Sequence, residues 1–149
     1  MIVTKQNIDE FFQNKDIAVV GESAKKNKFG NDVIKELKQR NFKIYVLHLE
    51  AEEIEGHKCF RKIEDLPEEV SAIYISINKD KTNKIVSESK QKGINNIWVQ
   101  QMSENAETLN FAEDCNLITG QCAIMHLEPV KGFHKFHRSI KKLFGKLPK

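Results

Sequence analysis

Residues 17–49 read IAVVGESAKKNKFGNDVIKELKQRNFKIYVLHL, and this stretch decides the fold. Ile17–Val20 is a short apolar run, which is the pattern of a strand buried on both faces, and Gly21 ends it. Apolar residues then recur between 33 and 37 with the spacing of one helix face. A second apolar run covers residues 44–47. The order strand, turn, helix, strand predicts the opening unit of an α/β domain.

The turn from Gly21 to Gly30 indicates the kind of ligand that this unit binds. A glycine directly after a strand lets backbone N–H groups approach a phosphate, and the start of the next helix favours an anion. We expect Ser23 to offer a hydroxyl group and Lys28 a positive charge to a pyrophosphate. The dinucleotide fingerprint G-x-G-x-x-G is absent, since serine stands at position 23. An ordinary strand-to-helix turn with solvated lysines is the alternative interpretation.

Length and composition indicate one globular domain. The chain has 149 residues, of which 40% are hydrophobic and 30% are charged. No apolar run approaches the roughly 18 residues of a membrane helix, and the N-terminus lacks the apolar segment of a signal peptide. The three cysteines, Cys59, Cys115 and Cys122, cannot all pair, so we expect reduced thiols and a cytoplasmic location.

The charge is distributed unevenly along the chain. Residues 1–130 carry 17 basic and 21 acidic side chains, whereas residues 131–149 carry seven basic side chains and no acidic one. In this tail, apolar residues with helical spacing stand at positions 133, 136, 140, 143, 144 and 147. We therefore predict a nucleotide-binding domain at 1–126 and a basic amphipathic helix within 127–149, packed on that domain or across a homo-oligomer. Nucleic-acid or membrane-surface binding by the tail is the less favoured alternative.

Five predicted strands alternate with helices, which favours a single Rossmann-like, doubly wound parallel sheet with an added C-terminal helix. The predicted strands are Ile17–Val20, Ile44–Leu47, Ala72–Ile77, Asn96–Val99 and Leu117–Thr119. One further helix is predicted after Thr4. Another starts at Asp80 or Thr82 and ends at Gly93, and another spans 105–114. Residues 57–60 are a further candidate for a brief extended piece.

Ligands of such sheets bind outside the carboxyl ends of the strands, near the point where the strand order reverses. The candidate binding residues at those ends are Gly21, Ser23, Lys28, Phe29, Gly30, His48, Ile77, Asn78, Gln100 and Met102. We expect His48 to stack on a base or to bond a ribose. For Gln100 two roles stay open, namely binding the ligand or capping a neighbouring loop.

The order of landmarks resembles a known family, the small CoA-binding proteins, over roughly residues 16 to 126. That family's pattern runs V-V-G-x-S, then a basic residue and a glycine before the helix, and later a Trp-x-Gln strand and a cysteine. The matching segments here are Val19–Ser23, Lys28–Gly30, Phe42, Gly56, Cys59–Phe60, Ile63–Pro67, Trp98–Gln100 and Cys122. The resemblance implies a single domain similar to the CoA-binding domain of the succinyl-CoA synthetase α subunit, with CoA as its ligand.

The chain departs from the family pattern at three places. The second strand ends Val46–Leu49 instead of Pro-Val-Asn-Pro, and two expected glycines are Asn41 and Met102. Binding of CoA, an acyl-CoA or a related nucleotide without catalysis is the favoured function. A small NAD(P)-linked oxidoreductase and an interaction module with a degenerate pocket are the alternatives.

The sequence gives no positive evidence for catalysis. It contains no Walker A motif, and no base can be paired with Cys59 or Cys122. Cys122 and His126, together with His134 and His137, have looser spacing than a zinc site, so we predict no metal.

Overall fold

The computed structural model describes residues 2–129 and the single positions 132, 135, 138, 139 and 148. The strands are β1 Asp16–Val20, β2 Lys43–Leu47, β3 Glu53–Ile54, β4 His57–Phe60, β5 Ala72–Ile75, β6 Asn96–Gln100 and β7 Asn116–Gln121. The α-helices are α1 Lys5–Gln13, α2 Phe29–Lys38 and α3 Lys79–Lys92. Short 3₁₀ segments cover Ile63–Asp65, Ala106–Asp114 and Ala123–His126.

The strands form one sheet in the order β3-β4-β2-β1-β5-β6-β7. All neighbours are parallel except β3 and β4, so the predicted α/β class with a mainly parallel sheet is confirmed. The predicted number of five strands is wrong, because the sheet has seven. The chain moves from β1 outward through β2 and returns to the other side of β1 as β5. The strand order therefore reverses between β1 and β5, which is where ligands of such sheets bind.

The two additional strands form a hairpin, of which only β4 was expected, as the brief extended piece at residues 57–60. Glu55 and Gly56 join β3 to β4, with φ of 52° and 79°. Two consecutive residues with positive φ produce the tight turn that suits an antiparallel hairpin. The β3 strand has two residues and β4 has four, which is too short for an alternating pattern to be detected. Strand β4 then joins the main sheet by parallel pairing with the end of β2.

Both faces of the sheet are covered by apolar clusters. Helices α1 and α2 and the segment Ala123–His126 pack on one face, around the buried Trp98. Helix α3 and the first two 3₁₀ segments pack on the other face. This arrangement explains why the central strands are almost continuously apolar, since both of their faces are buried.

Several predicted helix ends are confirmed. Thr4 caps α1, and Gly93 ends α3 in the left-handed conformation. Helix α3 begins at Lys79, slightly before the predicted start, because Asn78 is its N-cap. The predicted helix at 105–114 is instead a 3₁₀ segment over Ala106–Asp114.

The apolar positions of the predicted C-terminal helix, 133, 136, 140, 143, 144 and 147, lie outside the described residues. Among the residues that the structure does describe, no helix is long and apolar enough to cross a membrane.

Candidate functional site

Two glycines bring strand, turn and helix together at the point where the strand order reverses. Gly21 follows β1 with φ of 116°, and a Cβ atom there would lie 2.0 Å from the carbonyl oxygen of Ser76. A Cβ atom on Gly30 would lie 2.7 Å from the carbonyl carbon of Gly21. Real Cβ atoms do not approach backbone this closely, so both positions require glycine. The first turn of α2 is thereby held directly against the ends of β1 and β5.

The turn between the two glycines exposes positive charge at the start of α2. Residues 24–28 are exposed, and they include Lys25, Lys26 and Lys28. Lys28 is the N-cap residue of α2, where the helix dipole favours an anion. The Ser23 Oγ accepts hydrogen bonds from the backbone N–H groups of Lys25 and Lys26, at 3.2 and 3.4 Å. The hydroxyl of Ser23 therefore shapes the turn.

The amide side chain of Asn31 closes this turn from within α2. Its Oδ1 accepts from the backbone N–H groups of Ser23 and Lys28, at 2.9 and 3.1 Å. Its Nδ2 donates to the carbonyl oxygen of Ser23 at 2.9 Å. Asn31 is only 2% exposed, so these bonds are shielded from water. The backbone N–H group of Ser23 thus has an internal partner in this structure.

A buried carboxyl group lies directly after the first glycine. Glu22 is 3% exposed, and neither of its carboxyl oxygens has a hydrogen-bond partner among the described residues. Burial raises the pKa of Glu22 from 4.5 to about 8, and the N–H dipoles of Glu22 and Gly21 and the charge of Lys28 oppose this only in part. Glu22 is therefore mostly neutral at pH 7. Its ionisation would place a negative charge inside the turn.

The end of β2 is organised by local hydrogen bonds. His48 is half-buried, and its backbone N–H donates to the carbonyl oxygen of Phe60 at 2.9 Å. Its ring Nδ1 accepts from the N–H groups of Glu50 and Ala51, at 3.2 and 3.0 Å. A neutral imidazole that accepts at Nδ1 carries its proton on Nε2. Leu49 follows with 81% of its surface exposed.

The candidates at the end of β5 have structural partners. Ile77 is partly buried and packs against the cluster under α3. Asn78 caps α3, because its side-chain oxygen accepts from the N–H group of Asp80 at 3.0 Å. Phe29, at the start of α2, packs in the same way against the cluster on the opposite face.

Gln100 joins two strands to the segment after β7. Its Oε1 accepts from the hydroxyl of Tyr74 at 3.1 Å and from the N–H group of Ala123 at 3.2 Å. Gln100 is buried, so the capping role is the one that these contacts show. Met102, two residues on, is 89% exposed with φ of 73°.

The cysteines are buried or half-buried and unpaired. Burial raises the pKa of the Cys59 thiol, and Glu22 in its ionised form adds to this. Burial also raises the pKa of the Cys115 thiol. No group of three or more metal-binding side chains occurs in the described part of the chain, and His134 and His137 lie outside it.

Taken together, the turn and its place in the sheet define an α/β domain of the Rossmann type with an anion-favouring helix start. Residues 15–128 match the family model described as "CoA binding domain", and the chain belongs to this family. The resemblance to the small CoA-binding proteins is therefore confirmed.

The matching relatives are ligases or ligase subunits that are longer than this chain. The α subunit of the ADP-forming acetate–CoA ligase II from Pyrococcus furiosus is 31% identical over 93 residues, which make up 62% of this chain and 20% of that protein. The ADP-forming acetate–CoA ligase II from Archaeoglobus fulgidus is 33% identical over 93 residues, with 61% and 14% covered. The chain thus matches a fifth or less of the length of these relatives.

Solved structures of similar size share the fold. A hypothetical protein from Pyrococcus horikoshii OT3 superimposes with a TM-score of 0.75 at 25% identity, over 87% of this chain and 93% of that one. A conserved hypothetical protein from Pyrococcus furiosus gives 0.67 at 29% identity, over 72% and 94%.

The strand ends Gly21–Ser23 and Ser76–Asn78 were expected at the ligand edge, but Glu22, Asn31 and Ser76 were not among the individual candidate residues. Glu22 stands at the unspecified position of the V-V-G-x-S pattern, and a charged residue there, next to a buried strand, was the available signal. Asn31 has the third position of a helix, where a polar side chain can bond back to the preceding turn. Ser76 contributes backbone alone, so its residue type carries no signal.

Proposed function

We propose that the chain binds CoA or an acyl-CoA at the carboxyl edge of the sheet, between the ends of β1 and β5. The observation that carries this proposal is the glycine-packed turn from Gly21 to Gly30, which opens α2 in a chain of the CoA-binding family. Phosphate groups would lie at the start of α2 beside Lys28. Backbone N–H groups and a helix start stabilise such an anion without further cofactors.

The less polar parts of the ligand would lie over the neighbouring strand ends. Leu49 after β2 and Met102 after β6 expose large apolar side chains at the same edge of the sheet. His48 lies beside Leu49, with its Nε2–H group directed away from the local bonds made by Nδ1. An adenine ring or the pantetheine chain would cover apolar surface that is otherwise left in water.

We propose that binding occurs without catalysis. Cys59 and Cys122 are buried, and the pKa of Cys59 is raised, so this thiol is held in its less reactive form. The three unpaired cysteines also support a reducing, cytoplasmic location.

We also propose that residues 127–149 pack on the 1–126 domain. The guanidinium group of Arg40, in the loop after α2, donates to the carbonyl oxygens of Leu127, Glu128 and Pro129, at 3.2, 2.8 and 2.9 Å. Arg138 pairs with the carboxylate of Glu128. The bonds of Arg40 fix residues 127–129 against the end of α2, which supports docking of the tail on the same molecule.

Calorimetric titration of the full chain with acetyl-CoA, CoA, NAD and ATP tests the ligand proposal. Acetyl-CoA and CoA should bind more tightly than NAD, and a ligand at about 100 times its Kd should add about 2.7 kcal/mol of stability. Lys28→Ala should weaken acetyl-CoA binding about tenfold, because a charge-assisted contact is lost. Lys43→Ala is the control, since Lys43 is also exposed but lies at the start of β2, at the opposite edge of the sheet. Absence of binding by all four compounds would refute the proposal.

A further inference from the structure

A carboxylate from the edge of the sheet reaches the turn through Asn31. The Nδ2 group of Asn31 donates a second hydrogen bond to the Oε1 atom of Glu55, at 3.1 Å. With the bonds to Ser23 and Lys28, both N–H groups of the amide and both lone pairs of its oxygen are used. Glu55 itself belongs to the β3–β4 hairpin, with φ of 52°.

Glu55 reinforces the orientation of the Asn31 amide that the backbone groups of Ser23 and Lys28 favour. An ionised carboxylate can only accept hydrogen bonds, so it adds to the preference for the orientation with the NH₂ group toward Glu55. This orientation leaves Oδ1 toward the N–H groups of Ser23 and Lys28. Lys35 forms an ion pair with this carboxylate, since its Nζ lies 3.6 Å from the same Oε1.

We propose that Glu55 is a positioning residue for anion binding, which acts by orienting Asn31 and thereby fixing the shape of the Gly21–Gly30 turn. The proposal rests on the proposed function of this turn. Residues 24–28 are exposed and have few apolar contacts of their own, so hydrogen bonds must supply their order. A turn that is already ordered avoids the entropy loss that ligand binding would otherwise impose.

Four variants of the full chain test this role by acetyl-CoA titration at a temperature where each is folded. Asn31→Ala should weaken binding about tenfold, and Glu55→Ala should weaken it severalfold. Glu55→Gln should stay within about twofold of the wild type, because a glutamine oxygen still accepts from Asn31. Asn83→Ala is the matched control. Asn83 lies in α3, on the other face of the sheet, and its side chain makes three hydrogen bonds with residues of the 105–108 segment.

Amide hydrogen exchange gives a second measurement that does not depend on the ligand. The N–H groups of Ser23 and Lys28 should exchange faster in Asn31→Ala and Glu55→Ala, but not in Glu55→Gln or Asn83→Ala. Equal acetyl-CoA affinity of Glu55→Ala and the wild type would overturn the proposal. If the wild type itself binds no acetyl-CoA, the proposed function fails, and unchanged exchange at Ser23 and Lys28 would then refute the positioning role separately.

Discussion

Replacing Glu22 with glutamine should change how the stability of the protein depends on pH. The Glu22 carboxyl group is buried without a hydrogen-bond partner among the described residues, and its pKa is raised from 4.5 to about 8. Below pH 4.5 the group is neutral in the folded and the unfolded chain. Between pH 4.5 and 8 it ionises only in the unfolded chain, so rising pH favours unfolding. Above pH 8 the group is ionised in both states, and the free energy of unfolding falls no further on its account.

The size of this effect follows from the two pKa values. Each pH unit between 4.5 and about 8 is worth about 1.4 kcal/mol, so the wild type should lose about 4–5 kcal/mol relative to Glu22→Gln. This is a large share of the roughly 5–15 kcal/mol that stabilise an ordinary domain. Glutamine has nearly the same volume, so the variant keeps the packing while removing the ionisation.

Urea unfolding of both proteins at pH 4.5 to 9 measures the effect. The difference in free energy of unfolding between Glu22→Gln and the wild type should increase up to about pH 8 and then level off. Glu50→Gln is the control, because Glu50 is exposed in the loop after β2. Parallel pH profiles for the wild type and Glu22→Gln would show that the carboxyl group is not neutral in the folded protein.

Two further predictions concern packing at the ends of α2. Gly30→Ala should lower the free energy of unfolding by about 1–3 kcal/mol and weaken acetyl-CoA binding, because the added carbon meets the backbone of Gly21 at 2.7 Å. Gly93→Ala, at the end of α3, is the control, since Gly93 has φ of 90° with no atom within 4 Å of the added carbon. It should lower the free energy of unfolding without weakening acetyl-CoA binding. Equal losses of acetyl-CoA affinity in the two variants would contradict this prediction. Arg40→Ala should cost about 2–3 kcal/mol in urea unfolding, and Arg40→Lys should recover little of it, since lysine lacks the planar fork that reaches the carbonyl groups of residues 127–129. A fully stable Arg40→Ala variant would show that these contacts are not stabilising.

The central strands could be predicted from sequence because their physical signal is local. Each is an apolar run ended by a glycine or polar residue, and burial on both faces makes the run continuous. Residues 57–60 were expected as a brief extended piece and form β4, but β3 and the hairpin pairing escaped prediction. The strands of this hairpin are very short, and its turn is Glu55–Gly56 instead of the usual Asn-Gly or Asp-Gly. The 3₁₀ segment at 106–114 has tighter turns and shorter-range hydrogen bonds than an α-helix, a difference that the residue types of this segment do not reveal.

The family pattern predicts the backbone conformation at two positions where this chain has a different residue. Asn41 and Met102 stand where the pattern has glycines, and both adopt positive φ, of 61° and 73°. The left-handed conformation is thus adopted without glycine, at some cost in strain for Met102.

The electrostatics of the turn depend on contacts between residues that are distant in sequence. Asn31 joins Ser23 to Glu55, which lies 24 positions further along the chain, and Glu22 influences the pKa of Cys59 on β4. No pattern within one segment reports such contacts, because they form only when the sheet assembles.

The Gly21–Gly30 turn combines two opposed electrostatic features. The start of α2 and Lys28 favour an anion, whereas an ionised Glu22 would repel it. Because Glu22 is mostly neutral at pH 7, the favourable terms dominate there, and anion affinity should decline as pH rises through about 8.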